Sequence, residues 1–119
     1  MKLTEHFTCE ELTKTDVAEL QAKNRRQAET LKGKLIRLAE WAETLRAVIK
    51  APMIITSGYR CRYLNTRVGG ACGSQHVKAE AIDFRPVGIE PDLLQLKGFF
   101  FFFLFACDQA FRSLCEQWK

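Results

Sequence analysis

Two short apolar segments, Met53-Ile54-Ile55-Thr56 and Ala81-Ile82-Asp83-Phe84-Arg85, bracket a glycine-rich connection, and this bracket limits the possible folds more than any other part of the chain. The first is β-branched and apolar and reads as a buried strand ended by Ser57-Gly58. The second reads as another strand, ended by Pro86 and Gly88. Strand alternation places Ala81, Asp83 and Arg85 on one face and Ile82 and Phe84 on the other. A carboxylate set between apolar neighbours needs a partner, because burying it alone is costly. Residues 60–68 between the strands predict a short helix, followed by the loop Gly69-Gly70-Ala71-Cys72-Gly73. Ser74-Gln75-His76 comes next and sets an imidazole seven positions before Asp83. A neutral nitrogen and an anionic oxygen are the donors a catalytic zinc centre uses, with one position left open for water.

Upstream, Thr8 with Glu11 three residues on predicts a capping box for a short first helix. Leu31, Leu35, Leu38, Ala42, Leu45 and Val48 or Ile49 recur every three or four residues. They predict a long amphipathic helix over residues 30–49, closed by Ala51-Pro52. Downstream, residues 99–105 are almost purely aromatic. That run is far too short to span a membrane, which takes about twenty apolar residues. It reads as a buried helix or strand and as an aggregation hazard.

A length of 119 residues predicts one domain, and 47% hydrophobic content supplies material for its core. The net charge of +4 is a weak bias toward anionic surfaces. Lys23, Arg25, Arg26, Lys32, Lys34 and Arg37 alternate with acids, so they predict a solvated helix face rather than a nucleic-acid patch. No apolar stretch follows Met1-Lys2-Leu3, so a cytoplasmic start is expected, with five reduced cysteines. Cys61, Cys72 and His76 match no zinc-knuckle spacing and are read as unrelated.

Taken in order, Leu3-Thr4-Glu5-His6-Phe7, Glu10-Glu11-Leu12, Thr56-Ser57-Gly58-Tyr59-Arg60, Leu64-Asn65, Val68-Gly69-Gly70-Ala71, Ser74-Gln75-His76 and Glu80-Ala81-Ile82-Asp83 resemble a known family. It is the zinc D-alanyl-D-alanine carboxypeptidase family, peptidase family M15, in its small phage- or prophage-borne form. The resemblance covers residues 3–85 and weakens until Asp108-Gln109 and Trp118. It implies an α+β fold, a small antiparallel sheet with helices packed on one side, as in the hedgehog signalling domain. It further implies that His76 and Asp83 ligate Zn2+, and that Arg60 holds the substrate carboxylate or orients its carbonyl. A guanidinium fork suits a planar carboxylate. Ser74 and Gln75 would contact the peptide or support the ligands, and Tyr59 would border the substrate while serving mainly in packing.

The family closes its site with a Trp-x-His motif carrying the third ligand, just after a carboxylate that acts as general base. Trp118-Lys119 looks like the start of that motif without its histidine, so a C-terminally truncated or degenerate site with little or no activity is expected; Glu116 is the candidate base, or alternatively Lys119 stands in place of the histidine. Two functions are therefore expected from different classes. One is a monomeric zinc peptidase of peptidoglycan stem peptides, D,D or L,D, released to the wall by a phage-type lysis route. The other is a catalytically silent relative that keeps the peptide-binding cleft. A hedgehog-like metal module without peptidase activity is a third, weaker expectation.

Overall fold

The computed structural model describes residues 1–88 and the backbone of residues 104–105. The first helix, α1 (Cys9–Thr13), starts as predicted. Thr8 Oγ1 accepts from the Glu11 amide at 3.1 Å, and the Glu11 carboxylate accepts from the Thr8 amide at 3.1 Å. Two further helices follow, α2 (Gln21–Ala28) and α3 (Lys32–Ile49), each entered through one 3₁₀ turn, Ala18–Leu20 and Glu29–Leu31. The α3 stripe predicted from periodicity is the buried one: Leu35, Leu38, Ala42, Leu45, Val48 and Ile49 all lie in the core. Its stop is sharper than Ala51-Pro52 alone requires. Lys50 takes a left-handed conformation (φ 59°) and its amide bonds to Arg46 O at 2.9 Å, a termination usually given to glycine.

The α+β architecture is completed by a three-stranded antiparallel sheet in the order β1-β2-β3, formed by β1 (Met53–Ser57), β2 (Ala81–Pro86) and β3 (Leu104–Phe105). Met53 pairs with Pro86 and Ile55 with Phe84, and then the register slips so that Ser57 faces Asp83. Thr56 is thus an extra residue on β1, a bulge that bends the strand end where the chain enters Gly58. Leu104 and Phe105, from the aromatic run, pair with Ile82 and Ala81, which selects strand over helix at those two positions. The core face of the sheet carries Met53, Ile55, Ile82 and Phe84, packed with Phe7, Leu12, Leu20 and the α3 stripe.

Helix α4 (Arg62–Arg67) is shorter than the predicted 60–68. The 59–61 stretch is tied instead to α1, α2 and the His76 turn, and Cys61 is extended. The amides of Tyr59, Arg60 and Cys61 are taken by Leu12 O, His76 O and Asn24 Oδ1, at 2.7, 3.1 and 2.8 Å. The helix starts only after Cys61 (φ −63°, ψ 160°). Among the described residues no helix is long and apolar enough to cross a membrane.

Candidate metal centre

Three segments converge on one point: the bulged end of β1 with the 58–61 loop, the 74–76 turn, and β2. His76 is 5% exposed, and its Nδ1 lies 2.7 Å from the carbonyl oxygen of Gly58. A carbonyl only accepts, so Nδ1 carries the proton and Nε2 is left to face Asp83 Oδ2 at 3.5 Å. That separation is too long for a hydrogen bond. It matches two ligands of one ion, since donors 2.0–2.1 Å from a tetrahedral zinc stand about 3.3 Å apart. The Asp83 side chain remains 29% exposed, which leaves the pair open to solvent on one side. The partner that Asp83 needs, expected from its place in the strand, is therefore His76 or an ion shared with it.

The connection between the two residues is held tightly. Ser74 Oγ accepts from the His76 amide at 3.2 Å, and His76 O accepts from the Arg60 amide. Gln75 O takes the amides of Lys78 and Glu80 at 3.1 and 3.0 Å. Ala79 closes the turn in the left-handed region (φ 57°), at about 1–2 kcal/mol for a residue with a Cβ. Such strain persists where surrounding structure over-determines it, commonly at functional sites.

Arg60 points its Nη2 toward Ser74 Oγ at 3.4 Å, while its buried Nε has no partner among the described residues. Nη2 beside Ser74 leaves the guanidinium with further donors that suit an oxygen of a bound molecule. Tyr59 is 5% exposed and belongs to the core. Burial, and secondarily the Cys61 thiol, push its hydroxyl above the ordinary phenol range. Gln75 is exposed. Glu116, Trp118 and Lys119 lie outside the described residues. His6 stands apart from the site: its backbone amide and Nδ1 both contact the Glu43 carboxylate, at 2.6 and 2.7 Å. Cys9, Cys61 and Cys72 are free thiols.

Two contributors were not legible as site residues. Gly58 serves through its carbonyl, and a methyl group at its Cα would overlap the Leu12 carbonyl oxygen, so the loop can rest on α1 only as glycine. Asn24 sits on a helix read as a charged, solvated face, yet it is fully buried and bonds three backbone groups. A carbonyl leaves no side-chain signature, and one inward position on a short helix has no periodic one.

Among the described residues no group of three His, Cys, Asp or Glu gathers at one point, and His76 and Asp83 stand there as a pair of candidate donors. They fit zinc in donor type, tautomer and spacing. No curated protein and no solved structure matches the chain. The family model described as Peptidase M15 matches residues 5–97, a span that includes both donors, Arg60 and the loops that carry them. The chain belongs to the peptidase M15 family, a family of peptide-bond hydrolases that is generally zinc-dependent.

Proposed function

We propose that the protein is a zinc peptidase acting on peptidoglycan stem peptides, at or near their D-Ala-D-Ala ends. The observation that carries the proposal is the Gly58 carbonyl fixing the His76 tautomer, so that Nε2 and Asp83 Oδ2 face each other at the spacing of two zinc ligands. The third ligand is missing or external to the described residues, and Glu116, outside them, is the candidate general base. When bound, zinc supplies Lewis acidity that polarises a carbonyl and acidifies water.

The chain's own residues supply the rest. Gly58 O holds Nδ1–H and keeps Nε2 available, in the manner by which outer hydrogen bonds set ligand orientation. Asp83 supplies negative charge at the partly open side of the pair. Arg60, whose Nη2 lies beside Ser74, would bind the terminal carboxylate of a short peptide and align its last amide bond. Ser74 steadies both the His76 amide and the Arg60 fork.

The test combines metal analysis with hydrolysis of a D-Ala-D-Ala-terminated wall peptide. The purified protein retains zinc and cleaves the peptide, and His76→Ala abolishes both. Zinc retained without cleavage would instead establish the silent relative, in which the cleft binds wall fragments intact. Protein that takes up no zinc refutes the proposal.

A further inference from the structure

We infer that Asn24 is a positioning residue for the metal centre, holding the 58–61 loop so that Gly58 O and Arg60 keep their places; this inference rests on the zinc reading given above. Asn24 lies on α2 and is 0% exposed. Its Nδ2 donates to Thr13 O at 2.7 Å and to Tyr59 O at 3.0 Å, while its Oδ1 accepts from the Cys61 amide at 2.8 Å. The carboxamide therefore ties the end of α1 to both sides of Arg60, two residues from the carbonyl that orients His76. A buried amide that spends its hydrogen bonds on backbone alone fixes conformation rather than filling volume. The same loop is fastened from α1 by the Tyr59 amide on Leu12 O and from the His76 turn by the Arg60 amide. Removing the Asn24 clamp leaves the Gly58–Tyr59 peptide held by Leu12 O alone, so Gly58 O can shift relative to Nδ1.

Asn24→Asp is the diagnostic change. It keeps the shape but replaces the Nδ2 donor with an oxygen facing two carbonyl oxygens, so the α1-to-loop tie is lost. Three quantities are compared in wild type, Asn24→Asp and Leu38→Ala: the melting temperature, the zinc dissociation constant by chelator competition, and the His76 tautomer from its ¹⁵N shifts in the metal-free protein. Leu38 is equally buried but lies on α3. At comparable losses of melting temperature, Asn24→Asp is expected to weaken zinc binding at least tenfold and to mix the His76 tautomers. Leu38→Ala is expected to change neither. Equal zinc affinity and a single tautomer in Asn24→Asp would overturn the inference. Should that variant not fold, wild-type amide exchange decides: the Cys61 amide and the Asn24 carboxamide protons exchange as slowly as core amides, and fast exchange overturns the inference. Wild-type protein without zinc affinity would count against the peptidase proposal alone, because the tautomer and exchange comparisons need no metal.

Discussion

Replacing Gly58 with alanine is the smallest change that strikes the centre without touching a ligand. The added methyl would overlap the backbone oxygen of Leu12, and a backbone atom has no rotamer into which it can retreat. If the loop stays, the contact is an overpacking strain of about 1–3 kcal/mol. If the loop lifts away, the Tyr59-to-Leu12 bond (2.7 Å) and the His76-to-Gly58 bond (2.7 Å) are both lost. Each is a buried bond of about 1 kcal/mol. The real variant takes the cheaper mixture of the two responses, so a loss of about 1–3 kcal/mol is expected in urea unfolding of the metal-free protein. Loosening the Nδ1 bond should also weaken zinc binding about 10–100-fold, the usual effect of removing an orienting partner. Both are read on one sample series, by unfolding and by chelator competition. A Gly58→Ala protein within about 0.5 kcal/mol of wild type, the scatter of neutral surface changes, and with unchanged zinc affinity would refute the role given to this loop.

Other perturbations probe separate parts of the account. Thr8→Ala removes one half of the capping box and should cost about 1 kcal/mol in thermal unfolding, with zinc affinity unchanged. Glu43 is held below the usual glutamate range. Burial works the other way, but hydrogen bonds from the Thr4-to-His6 segment outweigh it. Because its folded pKa is depressed, the stabilisation it gives is fully present above about pH 4.5 and fades as pH falls through the lower folded value. Glu43→Gln should therefore be less stable than wild type near pH 6, by about 0.5–1.5 kcal/mol, with the gap closing under acid; a gap that persists undiminished at pH 3 contradicts the assignment. Arg60→Lys should raise KM for a peptide with a free terminal carboxylate far more than for its amide, because lysine loses the planar fork. Equal effects on the two peptides would remove Arg60 from substrate binding.

Much of the architecture was readable because it rests on periodic or local signals. The α3 stripe, the Thr8 cap and the two strands around the glycine-rich connection follow from spacing and side-chain type, and each stands where expected. Of the candidate side chains singled out by residue type, His76 and Asp83 face each other at 3.5 Å and Arg60 contacts Ser74 at 3.4 Å. What escaped was carried by backbone and by burial. The Gly58 carbonyl, the Thr56 bulge and the left-handed Ala79 have no counterpart in residue type. Asn24 looked like one polar residue on a polar helix until its neighbours in space were known. The start of α4 moved to Arg62 because Cys61 is held extended in a loop tied to α1 and α2, which residue type does not reveal.

The most direct trial is anomalous diffraction at the zinc edge, from crystals of the protein grown with zinc. One peak should stand within coordination distance of both His76 Nε2 and Asp83 Oδ2, with Nδ1 still on the Gly58 carbonyl. Zinc found only elsewhere, or those two side chains turned away from each other around an empty point, would contradict the assignment of this chain's metal centre.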